Sequence, residues 1–164
     1  MNMKFNAEQY FAASMERMKQ AKLLYDNPKR DCYAISIYVA GVAIECMLRA
    51  FKLKHDPTFD ERHNLKELLT GSRMLQIDED ALATEKQGVK YRRTLSAIVN
   101  EICELWGNEY RYASEDRLRS EFNRKKLYKD SKGYILKSCA CRMINAAGQF
   151  YERGVILWQR LKKK

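Results

Sequence analysis

The chain has 164 residues, of which 46% are hydrophobic, 32% are charged and two are prolines. This composition excludes disordered and fibrous proteins, and the length predicts one domain over residues 1–164 that buries a core without crosslinks. The net charge of +10 is unevenly placed, since residues 117–164 carry 14 Lys or Arg against three acidic residues. Such a basic half predicts an anionic partner, most commonly RNA or DNA; the alternative is that the charge serves solubility alone.

The expected location is the cytoplasm. The N-terminal residues lack the apolar segment of a secretory signal, and five cysteines, an odd number, predict reduced thiols. The longest uncharged run, residues 32–44, is shorter than the roughly 20 apolar residues that a membrane span requires. We therefore expect a buried helix there and no membrane contact.

Apolar residues recur every three or four positions, which predicts helices along the chain. The first helix follows a capping box at Asn6 and ends before Pro28. The second begins after an Asp31 cap and runs to about Lys54, apolar nearly all round. A short third helix spans residues 64–71.

The second half of the chain is predicted to hold two more long helices. One occupies much of residues 78–106, with Gly88 as a candidate point of division, and the last spans residues 133–161. Residues 108–132 are polar and are interpreted as a long functional loop with one amphipathic turn. Strand-like alternation is missing from the sequence, so the predicted fold is all-α: an up-and-down helical bundle of four long helices plus one short helix.

Glu45 and Arg49 are the only charged residues between Cys32 and Phe51 in the second helix, and their spacing places them on one helical face. A buried carboxylate needs a partner, so either a basic group neutralises Glu45 or the carboxyl is protonated. Such a pair is either a structural strut, in the bundle or at a dimer seam, or part of a site. His63, at the edge of the core, is one of only two histidines and the candidate proton carrier.

The sequence predicts neither a metal site nor a bound cofactor. Two histidines, His55 and His63, are too few for a usual structural metal site, and Cys139 and Cys141 face different sides of a helix. Glycine-rich phosphate loops and serine-nucleophile turns are also missing from the sequence.

Aromatic and basic side chains alternate in the segment that begins near residue 110 and extends to Lys129. Aromatic rings stack on unpaired bases, while Arg and Lys contact phosphates. The alternative is a solvated loop whose tyrosines pack against the bundle. The candidate ligand-binding residues are Arg111, Tyr112, Arg117, Arg119, Arg124, Lys125 and Lys126.

The order of several short motifs resembles the HEPN superfamily of small helical domains. These motifs are Tyr38, Gly41, residues 45–50, residues 63–68, Trp106 and the Arg111–Tyr112 pair. The resemblance implies a helical bundle, often a homodimer, that cleaves RNA, binds RNA or nucleotides, or accompanies a nucleotidyltransferase or an antitoxin.

This sequence departs from the nuclease branch of that family, which carries Arg, four to six residues and then His at the last helix. No histidine follows His63, so the last helix lacks the general base that RNA cleavage requires. The leading hypothesis is therefore a non-catalytic domain that binds RNA or a nucleotide. One alternative is a metal-independent endoribonuclease with Glu45, Arg49 or Arg111 and His63 as catalytic residues. Another is a protein-interaction subunit of a toxin–antitoxin or nucleotidyltransferase pair.

Overall fold

Helices form nearly all of the part of the chain that the structure, a computed structural model, describes: residues 5–57, 63–84, 93–127 and 134–162. The all-α fold class is confirmed. Within these ranges the α-helices are α1 (Ala7–Tyr25), α2 (Tyr33–His55), α3 (Leu65–Gly71), α4 (Met74–Thr84), α5 (Leu95–Leu105), α6 (Glu115–Arg124) and α7 (Ile135–Leu161), with a 3-10 helix at Asn108–Tyr112.

The central element is α2, which packs against α1 and α7. Its fully buried side chains include Ile37, Met47 and Phe51. By length and hydropathy α2 is the one helix among the described residues that is a candidate membrane span, yet 67% of its most apolar stretch is buried inside the protein. This degree of burial is typical of a core helix, and it explains the apolar residues on every side of α2.

Two glycines allow elements to approach α2 and α7 closely. A Cβ atom on Gly41 would lie 2.1 Å from the Trp106 ring, whose Nε1 donates a hydrogen bond to the Tyr38 carbonyl at 3.0 Å. A Cβ atom on Gly154 would lie 3.0 Å from Met47 Sδ. The sequence motifs around Tyr38, Gly41 and Trp106 therefore form one packing unit.

The predicted boundaries of two helices need correction. The expected helix over residues 78–106 is two helices, α4 and α5, because Thr94 caps a new start by accepting a hydrogen bond from the Ala97 amide at 3.2 Å. Gly88, the expected point of division, lies outside the described residues. The cap of α2 is Cys32 rather than Asp31, and its side chain makes no capping hydrogen bond.

The prediction of a long loop is wrong for residues 108–124, where the 3-10 helix and the ten-residue α6 lie. Ser114 caps α6 through a hydrogen bond from the Arg117 amide, and Leu118 and Phe122, one turn apart, bury its apolar stripe. This two-residue stripe is hard to recognise in the sequence, because the residues around it are polar or charged. Residues 128–133, including the predicted start of the last helix, lie outside the described residues.

Candidate functional site

Three of the predicted catalytic residues meet in one cluster, which we call the Glu45 cluster: Glu45, Arg49 and His63. Arg49 Nε lies 2.8 Å from Glu45 Oε1, and His63 Nδ1 lies 2.9 Å from the same oxygen. Glu45 and Arg49 are buried, whereas 44% of the His63 side chain is exposed. The cluster therefore joins a buried ion pair in α2 to an imidazole at the surface.

The position of His63 follows from the local sequence. His63 directly precedes Asn64, whose side chain caps α3 by accepting hydrogen bonds from the Lys66 and Glu67 amides. Because Leu65 anchors α3 in the core, the residue before the cap is held beside α2.

The Glu45 cluster has the arrangement of a carboxylate–imidazole dyad. An ionised carboxylate only accepts hydrogen bonds, so Nδ1 of His63 carries the hydrogen toward Glu45. In the neutral imidazole, Nε2 then holds the lone pair and is able to take a proton from another molecule. The arrangement supports general-base chemistry at Nε2.

Burial affects the other ionisable groups around Glu45. Burial raises the pKa of the Tyr10 phenol, an effect that Arg49 opposes and Glu45 reinforces. Burial also raises the pKa of the Cys46 thiol to about 11, with a contribution from Glu45. Both groups therefore stay neutral near pH 7, and neither supplies an anionic nucleophile there.

Arg111, the fourth catalytic candidate, lies in the 3-10 helix rather than in the Glu45 cluster. Its guanidinium carbon lies 4.6 Å from the ring centroid of Tyr112, and 79% of Tyr112 is exposed. Among the described residues, Arg111 makes no hydrogen bond or ion pair with Glu45 or His63. The carboxylate–imidazole dyad and the Arg–Tyr pair thus share no hydrogen bond or ion pair among the described residues.

Tyr112 and Arg117 line a groove of about 330 Å³ between the 3-10 helix and α6. Glu109 and Glu121 also line it. We call Arg111, Tyr112 and Arg117, together with this groove, the Arg111 surface. It presents one exposed ring, two guanidinium groups and two carboxylates.

Three of the predicted phosphate-binding cations have carboxylate partners within α6. Arg119 pairs with Asp116 at 2.6 Å, and Glu121 pairs with Arg124 at 2.7 Å and with Lys125 at 3.3 Å. The hydrogen bond from Arg124 is the largest cause that lowers the pKa of Glu121. The basic stretch is therefore partly neutralised by its own helix.

Lys125 also ties α6 to the 3-10 helix. Its ammonium group donates a hydrogen bond to the Tyr110 hydroxyl at 3.1 Å, and the Tyr110 ring meets Phe122 edge-on at 5.9 Å between centroids. Burial opposes the charged form of Lys125, but Tyr110 and Glu121 together raise its pKa. These contacts hold the Arg111 surface in shape.

Arg111, Arg117 and Lys126 are the remaining predicted cations, and within the described ranges none of them forms an ion pair. Lys126 follows α6 in a left-handed conformation, with φ of 52°. It lines a different groove, of about 420 Å³, together with Ser138 and Arg142. Lys129, the end of the predicted basic stretch, lies outside the described residues.

Sequence analysis missed a second buried ion pair, between Asp78 of α4 and Arg153 of α7. Arg153 Nε lies 2.5 Å from Asp78 Oδ1, and Nη2 contacts Oδ2, so the contact is bidentate. A signal was present in the sequence, since Arg153 lies one turn from both Phe150 and Leu157 of the predicted apolar seam. A long-range partner 75 residues away has no such signal.

Comparisons of the chain with protein-family models, with curated proteins and with solved structures find no match. Within the described ranges, no group of three or more His, Cys, Asp or Glu side chains is placed to hold a metal ion.

Proposed function

We propose that this chain is a HEPN-like domain that binds RNA or a nucleotide at the Arg111 surface without cleaving it. The observation that carries the proposal is the exposed Tyr112 ring, which lies beside Arg111 and at the edge of a groove that holds Arg117. An exposed ring with two guanidinium groups near it suits an unpaired base and its phosphates.

The carboxylates of the groove restrict which part of a ligand can bind there. Glu109 and Glu121 oppose the entry of a phosphate chain into the groove, while they are able to accept hydrogen bonds from a base or a ribose. We therefore assign the base to the groove and to the Tyr112 ring, and the phosphates to Arg111 and Arg117 at the rim.

The ion pairs of α6 extend this surface when the ligand is long. Exposed ion pairs in water contribute little to stability, so Arg124 and Lys125 are able to exchange Glu121 for phosphates of a bound strand at low ionic strength. A longer strand carries more phosphates for these cations than a mononucleotide does. Single-stranded RNA is accordingly the preferred ligand.

The test is fluorescence anisotropy with a labelled single-stranded RNA at two salt concentrations. Tyr112→Ala is expected to weaken binding by about 1–3 kcal/mol, the usual value of one base–aromatic stack. Arg117→Ala should weaken binding and reduce the salt dependence. Arg30→Ala, an exposed cation between α1 and α2, is the matched control.

The proposal fails if the wild-type protein binds no RNA or nucleotide at low salt. It also fails if Tyr112→Ala and Arg30→Ala weaken binding equally, because binding would then reflect net charge alone.

A second candidate function, metal-independent RNA cleavage, is favoured by the contact between Glu45 and His63. In that reaction His63 Nε2 would take the proton of a ribose 2′-hydroxyl, whose oxygen attacks the adjacent phosphorus. The 5′-oxygen leaves with a proton from water, which gives a 2′,3′-cyclic phosphate and a 5′-hydroxyl. Arg49 pairs with Glu45 and so does not neutralise the phosphate in the transition state, and we therefore rank this candidate second.

Incubation of RNA with the protein in EDTA tests the second candidate. His55→Ala is the matched control for His63→Ala, because these are the two histidines of the chain. Cleavage that persists in EDTA and in His55→Ala but disappears in His63→Ala would contradict the non-catalytic proposal and support the nuclease function. If no 2′,3′-cyclic phosphate products form, the nuclease function is excluded.

The thiols support a cytoplasmic location for this activity. All five cysteines are free in the structure, and none forms a disulfide. Free thiols are typical of proteins in a reducing compartment.

A further inference from the structure

Glu109 and Tyr112 lie on the same side of the 3-10 helix. Both residues belong to Asn108–Tyr112, and side chains three residues apart eclipse one another in a 3-10 helix. Both also line the groove of the Arg111 surface. A flat ligand that stacks on Tyr112 in the groove is therefore able to present an edge to the Glu109 carboxylate.

The Tyr112 ring has one face for such a ligand. The Arg111 guanidinium lies over the ring, with its carbon 4.6 Å from the centroid, and covers one face. Most of Tyr112 is exposed, so the opposite face is open. This arrangement accommodates one stacked base.

Glu109 is the carboxylate of the groove whose two oxygens are available. Glu121, the other carboxylate, accepts hydrogen bonds from Arg124 at both oxygens, at 2.7 Å for Oε1 and 3.1 Å for Oε2. Within the described ranges, Glu109 forms no ion pair and no side-chain hydrogen bond. The edge of a bound base therefore meets the oxygens of Glu109.

Gly107 makes room for the Glu109 carboxylate. A Cβ atom at Gly107 would lie 2.6 Å from Glu109 Oε2 and closer still to Oε1. The backbone of Gly107 is extended, with φ of −144°, so its conformation does not require glycine. The missing side chain instead allows the carboxylate to lie against the backbone at the edge of the groove.

The hydrogen-bond pattern of the Watson–Crick edge then selects the base. At neutral pH an exposed glutamate is ionised and only accepts hydrogen bonds. Guanine presents two adjacent donors, the N1 hydrogen and the N2 amino group, which match the two oxygens of one carboxylate. Adenine and cytosine present one donor beside a ring-nitrogen acceptor, and uracil presents one donor between two carbonyls. In each of these three bases an acceptor would face the carboxylate, which is unfavourable.

We propose that the groove of the Arg111 surface selects guanine, which stacks on Tyr112 and donates two hydrogen bonds to Glu109. The inference rests on the proposed function and specifies its ligand, a single-stranded RNA with an unpaired guanosine whose phosphates contact Arg111 and Arg117. A free guanine nucleotide carries the same base, and the experiment separates the two sources.

Fluorescence anisotropy with short labelled oligouridylates tests the selectivity. The probes differ at one central nucleotide, which is guanosine, adenosine, cytidine or uridine. The wild type is expected to bind the guanosine probe about tenfold or more tightly than the others, the usual effect of one bidentate contact. Inosine keeps the N1 hydrogen and lacks the N2 amino group, so an inosine probe should bind with intermediate affinity.

Competition with GMP distinguishes the two sources of guanine. We expect the unlabelled guanosine RNA to displace the probe at a lower concentration than GMP, because it offers more phosphates to the cations of the surface. Equal displacement by GMP would support the guanine site and assign a free nucleotide as its ligand.

Glu109→Gln tests the hydrogen bonds to the base. A glutamine amide presents one donor and one acceptor and so suits adenine, and the ratio of guanosine to adenosine affinity should fall about tenfold. Glu115→Gln is the matched control, because it removes the same charge from an exposed residue of α6 outside the groove. This control should leave the ratio unchanged.

Gly107→Ala tests the placement of the carboxylate without a change of charge. Its Cβ atom displaces the Glu109 carboxylate, so the preference for guanosine should fall while binding of the uridine probe persists. Gly71→Ala is the matched control, since a Cβ atom there would meet Lys52 at an ordinary 3.8 Å. Circular dichroism confirms that each variant is folded.

Two results would overturn the selectivity and leave the proposed function intact. One is a wild type that binds all four probes equally. The other is a guanosine preference that Glu109→Gln and Glu115→Gln reduce to the same extent. If the wild type binds no probe and no GMP at low salt, the proposed function fails and the selectivity fails with it.

Discussion

The ion pair Asp78–Arg153 and the ion pair Glu121–Arg124 have the same chemistry and opposite surroundings. The side chains of Arg153 and Asp78 are 4% and 9% exposed, whereas those of Arg124 and Glu121 are 71% and 22% exposed. A buried pair is costly to break, because the remaining charge stays in a medium of low polarity. An exposed pair is screened by water and exchanges partners easily.

This difference teaches how to interpret the basic half of the chain. Counting Lys and Arg residues treats every cation as available to an anionic partner. In the structure Arg153 is buried in the core. Arg124 pairs with Glu121 and must leave this exposed carboxylate before it contacts a phosphate. Arg117 forms no ion pair among the described residues. The cations able to contact RNA at once are therefore fewer than the sequence suggests.

The largest expected effect comes from the buried pair. Arg153→Met should lower the free energy of unfolding by about 3–5 kcal/mol, because the Asp78 carboxylate would stay buried without the guanidinium that contacts both its oxygens. Urea denaturation monitored by circular dichroism measures the change.

The double variant Arg153→Met with Asp78→Leu should recover much of this loss, since no unpaired charge is then left at this place in the core. Arg119→Met on α6 is the exposed control and should change stability little. Equal losses in Arg153→Met and Arg119→Met would mean that burial does not separate the two kinds of pair.

The fold class was predictable from sequence because the long helices carry apolar residues at helical spacing, and α2 carries them on every side. The sequence offered Gly88 as a point of division between two helices, but it did not predict the start of α5, because the Thr94 cap is a single polar residue within an otherwise periodic segment. For α6, the stripe of Leu118 and Phe122 is too short to stand out from its charged neighbours.

The thiols of Cys46, which is partly buried, and Cys139, which is buried, should make the fold sensitive to alkaline pH. Burial raises the pKa of Cys46 and of Cys139 to about 11 each. Between pH 9 and 11 the unfolded thiols lose their protons while the folded ones keep theirs, so the folded state binds more protons and stability falls as the pH rises. The stabilisation is complete below the ordinary thiol pKa of 9.0 and declines toward pH 11.

The expected loss is about 2 kcal/mol per thiol, from a pKa difference of about two. Urea denaturation at pH 8 and at pH 10.5, with a reducing agent present, measures it. The double variant Cys46→Ala with Cys139→Ala should show a shallower dependence, and an unchanged slope would assign the loss to other groups.

His63→Ala is expected to have a smaller effect, about 1 kcal/mol, the value of a hydrogen bond to a charged group at a half-exposed site. Thermal denaturation, with His55→Ala as the matched control, measures the change. A loss as large as that of Arg153→Met would make His63 a structural strut of α2 and would weaken the case for a proton carrier.

The Glu45 cluster was partly predictable. The pairing of Glu45 with Arg49 follows from helical spacing and from the cost of a lone buried charge. The contact with His63 depends on where α3 packs on α2, and the exclusion of Arg111 depends on the 3-10 helix, so neither could be derived from local patterns.

Glu121→Gln has the smallest expected effect on stability and is the sharpest test of the contrast between buried and exposed pairs. Removing the carboxylate releases Arg124 and Lys125 while Lys125 keeps its hydrogen bond to Tyr110, so the melting temperature should stay nearly unchanged. Binding of single-stranded RNA should tighten, and its salt dependence should steepen by about 0.7 for each cation that gains a phosphate. Fluorescence anisotropy across a salt series measures both, with Asp80→Asn on α4 as the control. Glutamine keeps a carbonyl oxygen that accepts a hydrogen bond from the base, so weaker binding would instead indicate that the negative charge of Glu121 itself contributes to ligand binding in the groove.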